Sequence, residues 1–174
     1  MPKIIENIRE KLLEEAKRQV MEQGYSAMTI RSVASVCGVG VGTVYNYFSS
    51  KDMLVASFML EDWMKCLAVI EDGCTKGEDA KEILHCIYDE LHCFWGKYEP
   101  VFSDKKAEES SSTSLHQRHG LLRGQIAKPL ATLCARQNKA DAEFLAEFIA
   151  ESLLAWTRTE RSFEEISSIL LQLF

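Results

Sequence analysis

Two His-Cys pairs seven residues apart, His85-Cys86 and His92-Cys93, carry side chains able to ligate metal or to be oxidised. On a helix, His85, Asp89 and His92 share one face while Cys86, Glu90 and Cys93 share the next, and either set could hold a metal ion. A redox-sensing thiol is another reading, although nothing in the sequence marks a cysteine with a lowered pKa. A seven-residue repeat equally places ordinary residues on one face, so no metal ligand and no cofactor is assigned. The other cysteines (37, 66, 74 and 134) form no CxxC, which excludes the zinc-ribbon and thioredoxin patterns and reads as free thiols acting as small core residues. No nucleophile–base signature, glycine-rich phosphate loop or HExxH occurs, and four dispersed histidines make no catalytic set. No catalytic residue is assigned, and an enzyme is not expected.

The stretch from Thr29 to Lys51, TIRSVASVCGVGVGTVYNYFSSK, is informative in a different way. Two helices crossing steeply through a short turn need a small residue at the crossing and a glycine able to take positive φ in the turn. Ala34 and Gly38, four apart, supply both. Val33, Cys37, Val39 and Val44 fall where such a unit must be apolar to pack its two helices on a third. The ordered set reads as a helix-turn-helix.

Helical periodicity dominates the chain and no segment alternates convincingly with period two, so the fold class is all-α. Ile5, Ile8, Leu12, Ala16 and Val20 make a first helix that stops at Gly24. Thr29 caps a second, short helix, and a third spans about Val41 to Tyr47. Ser49-Ser50-Lys51-Asp52 matches the Ser-x-x-Asp capping signature and opens a long fourth helix, which Gly73 to Gly77 is expected to break. A fifth helix carries Ile83 to Tyr98 and is expected to end at Pro100. Residues 103–114, SDKKAEESSSTS, read as a surface loop. Another long helix follows from Leu115 to Asn138, with a kink expected at Pro129. An amphipathic element runs from Phe144 to Trp156, and Ser162-Phe163-Glu164-Glu165 starts a short terminal helix.

With 174 residues, 47% hydrophobic and 26% charged, the chain can bury a real core. No stretch is apolar for long enough to cross a bilayer and the N-terminus lacks the apolar run of a signal peptide, so a cytoplasmic protein with no membrane partner is expected. The net charge of −6 argues against a coat of basic residues. The charge is uneven, however: residues 1–55 hold seven Lys/Arg against six Asp/Glu, so the acidity lies in the remainder. Phosphate contact by such a head would need hydroxyls, backbone N–H groups and a few well-placed bases.

At residues 13–54 the sequence resembles the TetR family of bacterial regulators. The resemblance rests on Ala16, Gly24-Tyr25, Thr29-Ile30, Val33-Ala34, Cys37-Gly38-Val39, Gly42-Thr43-Val44-Tyr45, Tyr47-Phe48, Lys51 and Leu54, with Gly-Thr-x-Tyr-x-x-Phe-x-x-Lys as its most specific part. It implies a three-helix DNA-binding head, residues 1–50, and a helical domain, residues 51–174, that dimerises and holds an effector. It further implies that Val41, Gly42, Thr43, Tyr45 and Asn46 lie in or against the major groove, and that Thr29, Thr43, Tyr47 and Lys51 hold phosphates. Hydroxyls and one amine suit backbone positioning. Gly40-Val41-Gly42 departs from relatives that carry a serine cap and a polar reader here. Val41 offers only apolar contact, so few direct hydrogen bonds to bases are expected and more dependence on DNA shape.

The implied function is a transcriptional regulator, a repressor released by a small-molecule effector. Its partners would be a second copy of the chain and near-palindromic operator DNA. Phe144, Phe148, Leu153, Trp156, Ile166 and Leu170 are the apolar residues expected to support the dimer. Trp63, His92, Trp95, Tyr98 and Phe102 are the candidates for the effector pocket, with His85 and His116 as further polar ones. A TetR-like protein acting mainly through protein–protein interaction is the alternative.

Overall fold

The computed structural model describes residues 7–104 and 115–174, with the side chains of 115–119 outside the description. All regular structure among them is helical: α1 (Ile8–Gln23), α2 (Ile30–Val36), α3 (Val41–Tyr47), α4 (Lys51–Lys76), α5 (Ala80–Phe102), α6 (Leu115–Arg136), α7 (Ala142–Trp156) and α8 (Phe163–Leu170), then a single 3₁₀ turn, Leu171–Leu173. Most of the surface loop expected at 103–114 lies outside the described residues.

The chain forms two compact units, one of Met1–Asp62 with Tyr98–Ser112 and one of Trp63–Lys97 with Thr113–Phe174. In the first, Leu12, Leu13, Ala16 and Val20 of α1 are buried along with Ile30, Val33, Ala34, Val44, Leu54 and Phe58. A polar joint accompanies them, in which Asp62 accepts hydrogen bonds from the Lys17 ammonium and the Tyr98 hydroxyl, each at 2.7 Å. Burial, together with the neighbouring carboxylate, pushes the Tyr98 pKa well up and keeps its proton on the donor side of that bond.

In the second unit the core is Leu67, Ile70, Ile83, Leu84, Ile87, Leu91, Ile126, Leu130, Ile149 and Leu153. Arg136, the last residue of α6, donates to the carbonyls of Cys74, Thr75 and Gly77 at 2.8–3.0 Å, groups that the end of α4 leaves without ladder partners. Tyr88 donates to the Arg161 carbonyl at 3.0 Å, and Ser162 and Glu165 form the expected capping box of α8.

Four local expectations need correction. The cap of α4 is Ser50, not Ser49: its Oγ accepts the Met53 N–H at 3.1 Å, and the Asp52 carboxylate instead accepts the Tyr25 hydroxyl. Gly73 does not break α4; the absence of a side chain there lets Cys86 approach, since a Cβ would sit 3.2 Å from its sulfur. The chain leaves the helix at Gly77, where a Cβ would lie 2.5 Å from Ile83 Cγ1. Pro100 lies inside α5, close enough to its end at Phe102 that little of the hydrogen-bond ladder is lost, and Ser103 N–H still reaches the Glu99 carbonyl at 2.9 Å. Leu153, Ile166 and Leu170 are fully or almost fully buried within their own unit, so they cannot support a dimer face; Phe144 and Phe148 stay exposed at 67% and 48%. Helix α6 runs through Pro129.

Candidate DNA-binding surface

Thr29 N-caps α2 through its hydroxyl, which accepts the Ser32 N–H at 3.0 Å, and Ser32 Oγ accepts the Thr29 N–H in return. Ser32 also donates to the buried Gln19 of α1 at 2.6 Å, which ties the start of α2 to the first helix. At the other end Gly38 takes φ +68, and its N–H reaches the Ser35 carbonyl while the Val39 N–H reaches that of Ala34. That pair of bonds is a Schellman closure, and it turns the chain directly into α3. Gly40 precedes α3 with extended backbone and no side-chain cap.

Within α3, Val44 is fully buried and Phe48 just beyond it nearly so, which fixes the rotation of the helix. The opposite surface is left outward: Tyr45 is 52% exposed, Tyr47 47% and Val41 36%, with Gly42 and Asn46 exposed and Thr43 half-buried. Space for a Cβ at Gly42 is open, with nothing within 4 Å. A cavity of about 330 Å³ opens beside this surface, lined by Arg9, Tyr45, Asn46, Tyr47, Ser49 and Met53 among others. Sequence reasoning does not single out Arg9. The available signal is a cation in the first turn of α1, where the helix dipole favours acids.

Lys51 is engaged within the head: its ammonium donates to the Tyr25 carbonyl and lies 4.1 Å from the centre of the Tyr25 ring. Cys37 donates its thiol to the Lys11 carbonyl at 3.6 Å, and burial pushes its pKa up, as befits a packing residue. Arg18 donates to Glu15, holding that carboxyl below its usual range.

The effector candidates fall in both units. In the second, Trp63 is buried, donates Nε1 to Gln125 at 2.8 Å and meets Phe94 edge-on, and Trp95 packs against the same Phe94. His92 is exposed, stacks on Tyr88 and has Nδ1 3.4 Å from the Thr157 carbonyl. In the first unit Tyr98 is fully buried and stacks on Phe58, while Phe102 is 38% exposed. His85 stacks on Phe163 and faces Asp89 at 3.6 Å. Among the described residues no three His, Cys, Asp or Glu side chains gather closely enough to hold a metal ion. The side chain of His116 lies outside the described residues.

A capped short helix, a left-handed glycine turn and a second short helix with its outer side chains exposed define a helix-turn-helix DNA-binding module. Residues 12–58 match the family model of bacterial regulatory proteins, tetR family. The HTH-type transcriptional repressor KstR of Mycobacterium tuberculosis is 22% identical over 169 residues, 93% of this chain and 76% of that protein. The HTH-type transcriptional regulator UidR of Escherichia coli is 28% identical over 60 residues, which span only 31% of its own length. Among solved structures, the TetR family repressor AlkX from a Dietzia species has the same fold, with a TM-score of 0.64 at 16% identity over 94% of this chain and 93% of that one. The family match covers the helix-turn-helix segment, residues 12–58, and beyond it the chain is similar to TetR-type regulators in fold. No helix among the described residues is long and apolar enough to cross a membrane.

Proposed function

We propose that this protein represses transcription as a homodimer, reading a near-palindromic operator with α3 of each head and releasing it when a small molecule binds the helical body. The observation that carries the reading is the division of α3 into a buried side, Val44, and an outward side of Val41, Gly42, Tyr45, Asn46 and Tyr47. Glycine at position 42 allows a close approach of backbone to DNA, and the hydroxyl and amide groups of Thr43, Tyr45 and Asn46 can bond base edges. Thr29 and Tyr47 stand at the ends of the motif, where phosphate contacts fix its register. Lys51 contributes there by holding the Tyr25 carbonyl, and its charge favours a phosphate nearby. The functional division falls at residue 50, with the reading head in 1–50 and the dimerising, effector-binding body in 51–174.

Phe144 and Phe148 of α7 and Leu121 of α6 leave apolar surface outward on the two helices that pack most closely together, which suits a twofold four-helix bundle. In the second unit the half-buried Trp95 and the exposed His92 are the accessible effector candidates, and Trp63 would join only as its surroundings open; Tyr98 and Phe102 belong to the first unit. Action in the cytoplasm and the absence of catalysis follow from this role. The test is selection of bound duplexes from a random-sequence library, followed by sedimentation of the complex. Two chains on one twofold-related site, with half-sites about one helical turn apart, support the reading. One chain per site, or selected sequences without symmetry, contradict it. Equal DNA affinity with and without every ligand found to bind would remove the effector from the account.

A further inference from the structure

Arg9 lies in the first turn of α1, where the positive end of the helix dipole favours an anion and disfavours a cation. Its guanidinium donates to Glu61 at 3.0 Å and rests over the Phe48 ring, 5.7 Å from the ring centre. About half of each partner remains open to water, 50% of the Arg9 side chain and 48% of that of Glu61, so the ion pair is well screened and inexpensive to exchange. Arg9 also lines the cavity beside α3 together with Tyr45, Tyr47 and Ser49, and no carboxylate is among the residues lining it. A guanidinium, two phenols and a serine hydroxyl around one opening are donors suited to a phosphate oxygen. The position is also right: two of the four belong to α3 itself.

We propose that Arg9 exchanges Glu61 for a DNA backbone phosphate when α3 enters the major groove, so that Glu61 acts as a competitor that sets operator affinity. This rests on α3 being the recognition helix. Arg9 in this role is a positioning contact, indifferent to sequence. Glu61 makes the head bind more weakly than it would otherwise, because the phosphate must displace a carboxylate before the contact forms.

The test uses the full chain and a duplex selected by the wild-type protein, with affinity measured by fluorescence anisotropy across a salt series. Arg9→Gln is expected to weaken binding and to flatten the slope of log affinity against log salt by about 0.9 for each phosphate that the guanidinium had neutralised. Glu61→Gln is expected to tighten binding several-fold, an outcome that a damaged fold would not produce. In the Arg9→Gln background the same Glu61→Gln change is expected to bring no gain, because there is no guanidinium to release. An unchanged salt slope in Arg9→Gln overturns the exchange, and so does a Glu61→Gln gain that persists in full without Arg9, which would make Glu61 a source of general repulsion. Failure of the wild-type chain to select any duplex would overturn the underlying DNA-reading assignment, a result distinct from either of these.

Discussion

Alanine placed at Gly38 and at Gly42 should move stability in opposite directions, although a Cβ at either position meets nothing within 4 Å. With packing removed from the comparison, backbone conformation alone decides the sign. Gly38 holds φ +68, the left-handed region, where an L side chain costs about 1–2 kcal/mol. The loss of unfolded-state freedom on replacing glycine offsets part of that, leaving a net destabilisation of about 1 kcal/mol. Gly42 lies inside α3 and is not among the positive-φ glycines, so alanine there should stabilise by roughly 0.5 kcal/mol, at the low end for a position in the first helical turn. The two variants should therefore differ by about 1.5 kcal/mol, or roughly 3–6 °C in melting temperature for a chain of this size. Thermal unfolding followed by circular dichroism reads the difference, and hydrogen exchange of the α3 amides localises it. A neutral Gly38→Ala, or two shifts of the same sign, would refute the assignment of Gly38 to the closure of α2. A further readout comes with no extra protein: if Gly42→Ala is more stable yet loses operator affinity, DNA approaches the backbone closely at that point.

Replacing Phe148 with Glu should dissociate the proposed dimer without unfolding the chain, because the side chain is 48% exposed in the single subunit; light scattering against concentration reports it, and equal masses for variant and wild type would contradict the proposed contact. Arg136→Ala should cost about 1–2 kcal/mol in urea unfolding, since three carbonyls at the end of α4 lose a charged donor. Thiol labelling of the native protein should modify the exposed Cys93 first, while Cys66 and Cys74 stay inert until unfolding because burial pushes both up to about 12. These two thiols remain protonated in the fold at a pH where unfolded thiols ionise, so the unfolded state binds fewer protons there. Stability should fall as pH rises from about 9 toward 12, and alanine at both positions should flatten that fall.

Most of the helix-turn-helix was legible in the sequence because its determinants are local. An N-cap needs an oxygen-bearing side chain, which Thr29 supplies, and a left-handed turn needs a residue such as Gly38 that tolerates positive φ. The burial of Val44 followed from its place in the two-helix unit. The extent of α4 was less legible, since Gly73 is explained by a cysteine of another helix pressing on it, and sequence spacing carries no record of that approach. The apolar residues of α7 and α8 show the same limit in another form. Periodicity assigns a residue to a face but does not say what the face meets, and Leu153, Ile166 and Leu170 meet their own unit. The resemblance casts Lys51 as a phosphate ligand, and its bond to the Tyr25 carbonyl is visible only in the fold. Arg9 escapes a sequence reading because nothing near it in the chain belongs to α3, and the cavity they share is a product of packing.

Whether the outward side of α3 reads DNA is decided by the affinity of wild type and Tyr45→Ala for a selected duplex and for a scrambled one of equal length. Tyr45 is 52% exposed and its removal leaves the core untouched, so the variant should fold and melt like the wild type. Wild type should prefer the selected duplex by roughly a thousandfold or more, and Tyr45→Ala should lose most of that preference. Equal affinity of the two proteins for the selected duplex, or binding by the wild type that ignores sequence and vanishes with salt, would contradict that role for α3.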